Sequence, residues 1–198
     1  MSDPGGAGTG GTLRGSRFKS VWGRPCIGLL ALWIWVPSVS RSELLEAELT
    51  IAGMTCAFCA FGIEKKLHEI DGVRDVTVLL DEGQVRLVLS PANAATPRGI
   101  QAAVKDAGFK LSQLELQVRG KLMSEANVPT LDAGNATRFR LLEAHDGRIG
   151  PLGVETRQAM EAASGGGLLR VRGVLNPESG EMNELIVRSF SQDVRPMP

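Results

Sequence analysis

The chain has 198 residues, with 22 Lys and Arg against 22 Asp and Glu, so its formal charge at pH 7 is zero. That balance argues against a nucleic-acid footprint, which needs a basic excess. Three cysteines are too few for a disulfide-built scaffold, and the length allows one or two small domains, each with its own core.

The first twenty residues are Gly-rich and polar, and Arg14, Arg17, Lys19 and Arg24 cluster near their end. Cys26 to Val36 is then wholly apolar. A bilayer span takes about 20 such residues, so this run fits the h-region of a secretory signal better than a transmembrane helix. Ser38-Val39-Ser40 supplies small residues at a cleavage spacing. Residues 1–40 are therefore expected to be a signal peptide, cleaved after Ser40, or else an uncleaved N-terminal anchor. The mature chain would be exported, to a periplasmic or other extracytoplasmic location, with Cys56 and Cys59 as its two thiols. In an oxidising compartment this pair must be kept reduced, or be re-reduced, to bind metal.

Ala47, Leu49 and Ile51 alternate with polar residues, the period of a half-buried strand. Gly53-Met54-Thr55-Cys56-Ala57-Phe58-Cys59 follows, and then Cys59, Ile63, Leu67 and Ile70 recur at helical spacing. Both thiols thus fall between a strand and the first turn of a helix. Backbone N–H groups and the positive dipole end favour thiolate there. Two soft sulfurs close together on one loop make a site for a soft metal ion. Asp71-Gly72 makes the next turn, and Val76, Val78 and Leu80 mark a second strand. A Gly-containing hairpin turn, Asp81 to Gln84, leads to Val85, Leu87 and Leu89 on one side of a third. Thr96 reads as an N-cap with Pro97 at the first helical position. Ile100, Ala103, Val104 and Ala107 form that helix's inner stripe, Gly108 caps it, and Phe109 opens a fourth strand through Leu114 and Leu116. Strand, helix, hairpin, helix, strand predicts an α+β unit, an antiparallel sheet with both helices on one face.

In this register the Gly-Met-Thr-Cys-x-x-Cys motif, with Gly72-Val73, Val76-Thr77-Val78 and Asp106-Ala107-Gly108-Phe109, resembles the heavy-metal-associated domain. Copper chaperones, metal-pumping ATPases and periplasmic mercury-binding proteins carry that domain. The resemblance covers roughly seventy residues, a typical small-domain length. It implies a ferredoxin-like βαββαβ fold over residues 41–118, with Cys56 and Cys59 as the metal ligands. In this family Met54 packs beneath the loop, and zinc-handling members often carry Asp where this chain has Thr55. Two thiolates without a carboxylate suit Cu(I) or Hg(II), whereas Zn(II) wants four ligands. The implied partner is a metal-transporting membrane protein or another metal-accepting protein.

Lys110 to Arg119 has no linker composition, so the two segments are expected to be closely coupled. Residues 119–198 then read as a small β-rich domain. Arg138 to Leu142, Leu168 to Leu175 and Leu185 to Phe190 are strands. Val154 to Ala163 is a helix ended by Gly165-Gly166-Gly167, and Asn176 to Gly180 is a turn. This order resembles an OB-like barrel. From Ser191 onward a free tail is expected.

Other candidate residues have plainer explanations. Phe58, between the cysteines, is expected to be exposed as a docking contact, and Phe61 to join the helix core. Phe109 is expected to shield the loop. Lys65, Lys66 and Lys110 form either a basic face for an acidic partner or a solvated surface. His68 and His145 have no Cys or His cluster around them. No activated nucleophile or acid–base pair is recognisable, so the reading is a metal carrier and not an enzyme. Two alternatives stand beside it: a thiol–disulfide redox protein, and an interaction module in which the metal is incidental.

Overall fold

A computed structural model describes residues 42–176 and 183–193. The expected signal segment, most of the turn at 176–180 and the last five residues lie outside the described residues. The elements are β1 (Glu43–Ala52), α1 (Ala57–His68), β2 (Val73–Leu79), β3 (Gln84–Leu89), α2 (Pro97–Asp106), β4 (Lys110–Glu125), β5 (Val128–Asp132), β6 (Arg138–His145), β7 (Arg148–Pro151), α3 (Val154–Ser164), β8 (Leu168–Leu175) and β9 (Asn183–Gln192). A 3-10 turn, Leu80–Glu82, joins β2 to β3.

The first part has the predicted βαββαβ order, with strands arranged β2-β3-β1-β4 and all pairings antiparallel. Ala47, Leu49 and Ile51 of β1 are buried while Glu46, Glu48 and Thr50 between them are not. This alternation fits a sheet with one face covered and the other wet. α1 buries Ile63 and Leu67, and α2 buries Ile100 and Val104. α2 starts as its sequence dictates. The Thr96 hydroxyl accepts the Gly99 N–H at 3.1 Å, and Pro97 occupies the first turn, where its missing N–H has no cost.

β4 runs 16 residues, straight through the boundary expected at 118–119. Residues 115–119 pair with β1 on one edge and β8 on the other. Further along, residues 121–125 pair with β5 on the edge that β1 has left. The strands β4, β5, β6, β9 and β8 each pair with the next, and β8 returns to β4, so the C-terminal part closes into a ring. β6 and β9 are parallel, and every other pair in the ring is antiparallel. Val118, Leu131, Phe139, Leu141, Leu169, Val171 and Leu185 are fully buried, as is Met160 of α3. A ring this small is filled by side chains. Gly120 permits the crossover, because a Cβ there would come within 2.5 Å of the Asp132 carbonyl oxygen. Glu143 receives α3, accepting the Gly153 N–H at 2.9 Å and the Thr156 hydroxyl at 3.0 Å.

Two strands escaped the sequence reading, and one ending was misplaced. β5 and β7 carry Pro129 and Pro151, which lower strand propensity yet are tolerated where no ladder N–H is required. The tail expected from Ser191 is not free at its start. Ser191 and Gln192 belong to β9, and Asp193 is held by two arginines. A short polar ending reads as a tail until its partners, 23 and 74 residues away, are known.

Those partners form the tie between the two parts. Arg119 and Glu43 face each other across β4 and β1, and their side chains are in contact. The Arg119 guanidinium also reaches Asp193 at 3.2 Å, and Arg170 reaches the same carboxylate at 3.0 Å. The Glu43 and Asp193 side chains are only 3% and 4% exposed. Burial opposes the Arg119 charge, but its hydrogen bonds to Glu43 and Asp193 more than offset this, so its pKa lies above the ordinary arginine value. The other oxygen of Glu43 accepts the N–H of Ala92, and Asn93 beside it donates to the Leu44 carbonyl at 2.8 Å.

Replacing Arg119 by Met leaves the buried Glu43 carboxylate without its cation. The expected outcome in urea unfolding is a loss of roughly 3 kcal/mol, the low end for a buried pair with one partner removed. The double variant with Glu43→Gln should recover part of that loss; a single Arg119 variant as stable as wild type would rule out the tie.

Candidate metal centre

β1 delivers the chain to the loop at Ala52, and Gly53 turns it with φ +79°, a backbone region open to glycine. Met54 then points inward and is 3% exposed, packed in the core cluster with Ile51 and Ile63. Thr55 and Cys56 are exposed. Cys56 is the N-cap of α1, with extended backbone (φ −129°, ψ 147°), and its Sγ accepts the Cys59 N–H at 3.1 Å. Sulfur thus fills the role that a Ser or Asp oxygen usually fills, satisfying one of the orphan donors of the helix start. No acidic residue occupies the first turn, so nothing there competes with the sulfurs for its N–H groups.

The sequence-predicted pair is therefore together. The Cα atoms of Cys56 and Cys59 lie 5.2 Å apart and their sulfurs are joined in a disulfide. Among the described residues no group of three or more His, Cys, Asp or Glu side chains is placed to hold a metal ion, so no imidazole or carboxylate joins the two sulfurs in such a group. Once reduced, such a pair is suited to a two-coordinate soft ion and offers little to Zn(II), which wants four ligands.

Around the loop the predictions divide. Phe58 is 91% exposed, as expected. Phe61, expected in the helix core, is 67% exposed instead. Its position one turn after Phe58 puts it on the outer face, while Ile63 and Leu67 already supply the buried stripe. Phe109 is half-buried against the core cluster. Lys66 donates to Glu69 at 2.8 Å, so this charge of the anticipated basic face is compensated locally. His68 is exposed, and His145 sits 3.5 Å from Asp146 at the tip of the β6–β7 hairpin. Neither approaches the sulfurs in a metal-holding group.

Residues 48–110 match the family model of the heavy-metal-associated domain. This chain carries a heavy-metal-associated domain. Among its relatives is human copper-transporting ATPase 2, 38% identical over 106 residues, which are 51% of this chain and 7% of that protein. The chain spans less than a tenth of the length of the copper-transporting ATPases it matches. Similar solved structures include the CopZ metallochaperone, at 29% identity and TM-score 0.32, covering 33% of this chain and 97% of that one. Oxidized MerP from Ralstonia metallidurans CH34 is 25% identical with TM-score 0.32, covering 36% of this chain and 100% of that one.

Burial assigns Met54 to packing, and that assignment has a direct check. Met54→Leu keeps the volume and removes the thioether. It should change stability by less than about 1.5 kcal/mol and leave Cu(I) stoichiometry and affinity as in wild type, measured by competition with a chromophoric chelator. A lost or weakened site would make the sulfur of Met54 a ligand.

Proposed function

We propose that this chain is an exported carrier of a soft metal ion, Cu(I) or Hg(II), held by the Cys56 and Cys59 thiolates and handed to a metal-transporting or metal-accepting partner. The observation that carries this reading is the pair itself. The Cys56 sulfur caps the start of α1 and the Cys59 sulfur lies in its first turn, with Met54 turned into the core and no carboxylate in that turn. The names of the relatives, copper-transporting ATPases, favour copper as the cargo. Binding requires the dithiol, so a dithiol reductant must first give the disulfide two electrons and two protons, becoming a disulfide itself, and metal uptake then releases protons from the thiols. Transfer would follow by ligand exchange. A partner thiolate enters to give a three-coordinate ion, and one resident sulfur leaves. The exposure of Cys56 on the loop favours such an attack.

For the C-terminal part we propose an OB-like barrel. Its support is the ring order β4-β5-β6-β9-β8, the parallel β6–β9 pair and a helix that lies in the chain between β6 and β8. Export rests on the sequence of residues 1–40.

A second reading, thiol–disulfide exchange, is favoured by the Cys56–Cys59 bond. One experiment separates the two. The protein is purified with a thiol reductant, its affinities for Cu(I), Hg(II) and Zn(II) are measured, and its reduction of insulin disulfides is assayed alongside. A carrier binds Cu(I) or Hg(II) tightly at one ion per chain and is a poor insulin reductant; the reverse result overturns the proposal. Cys56→Ser and Cys59→Ser should each lower Cu(I) affinity by several orders of magnitude with the circular dichroism spectrum unchanged. Thr55→Asp should shift the affinity ratio toward Zn(II) by adding an oxygen ligand, and an unchanged ratio would mean that residue 55 does not face the ion.

A further inference from the structure

We propose that the metal-accepting partner docks on this chain through an uncharged, apolar surface centred on Phe58 and Phe61, and is not recognised by charge. The inference rests on the carrier reading and specifies the partner's surface chemistry. Phe58 at 91% and Phe61 at 67% are two of the three most exposed large apolar side chains among the described residues. Both lie within one helical turn of Cys59, and Phe58 stands between the two cysteines in the chain. Ligand exchange brings the partner's sulfur within bonding distance of the metal, so a protein acceptor must cover the residues flanking Cys56 and Cys59. The partner therefore meets Phe58 and, one turn further on, Phe61.

The charge pattern points the same way. Besides Cys56, the exposed residues of the loop and the first helical turns are Ala52, Gly53, Thr55, Ala57, Phe58, Phe61 and Gly62, all uncharged. Charge begins only at Glu64 and Lys65 along α1, at Lys110 opposite Ala52 on β4, and at Asp81 and Glu82 in the turn beside Ile51. An apolar centre within a rim of mixed sign is the anatomy of a protein–protein contact whose energy comes from its middle. A rim with both signs gives no steering toward a strongly acidic or basic partner, and Lys66 is already compensated by Glu69. Aromatic side chains left in water beside a reactive loop are stabilised when a partner's apolar groups cover them.

The test uses the reduced full chain loaded with Cu(I) and three synthetic acceptor peptides. Each peptide carries the same Cys-x-x-Cys core, flanked by Leu and Phe, by Glu, or by Lys, and their Cu(I) affinities are matched beforehand. The expected result is transfer to the apolar-flanked peptide about tenfold faster than to either charged one. That preference should disappear in the Phe58→Ser/Phe61→Ser variant, whose Cu(I) affinity is measured separately. Faster transfer to the Glu-flanked peptide, falling with added salt, would assign docking to the lysines and overturn the proposal. Equal rates to all three peptides, or a preference that survives in the variant, would overturn it as well. Failure of the chain to bind Cu(I) would overturn the carrier reading, and this proposal with it.

Discussion

Two carboxylates from opposite ends of the described chain, Glu43 and Asp193, are buried around one guanidinium, that of Arg119. Each anion would be unstable in that position alone, since a buried charge without a partner loses its hydration and gains nothing in return. The arrangement therefore holds only when β1, β4 and the end of β9 are all in place. Arg119 can do this because β4 is long enough to belong to both parts. Its first half completes the sheet that carries the cysteine loop, and its second half starts the ring of strands that follows.

This tie lies far from the chemistry. Glu43 opens β1 and Ala52 closes it, so the clamp and the cysteine loop lie at opposite ends of a ten-residue strand, roughly 30 Å at about 3.3 Å per residue. The buried clamp and the exposed tip are thereby divided between the two ends of one strand. At the tip the backbone turns on Gly53, Met54 pins the loop to the core, and Cys56 and Cys59 remain at the surface. The loop is thus anchored by one buried side chain and one helix cap.

Much of the first part was legible in the chain because its signals are local. The period of two in Ala47, Leu49 and Ile51, the capping pair Thr96-Pro97 and the cysteine motif at a strand-to-helix change each lie within a few residues. Propensity and capping act over that range. The ring was legible in its strongest strands, β6, β8 and β9, whose runs of apolar residues need no context. β5 and β7 were hidden by Pro129 and Pro151, residues that weaken a strand signal unless the ladder leaves them an unpaired position. Phe61 was misjudged for a related reason. A single phenylalanine on a helix reads as core, and only the completed packing of Ile63 and Leu67 turns it outward.

By itself the sequence determined the chemistry of the site: two thiols, their place at a helix start, and the lack of a nearby carboxylate are matters of residue type and spacing. It determined as well the order of strands and helices from β1 to the start of β4, since each is specified by its own pattern. Tertiary structure alone decided that β4 is shared, that β8 returns to it, and that Asp193 is a partner of Arg119 instead of part of a tail. The physical reason is sequence distance. Glu43 and Arg119 are 76 residues apart, and Arg119 and Asp193 are 74 apart. A charged residue in a strand looks solvated in any short window, and only the folded sheet brings its counter-ion to it.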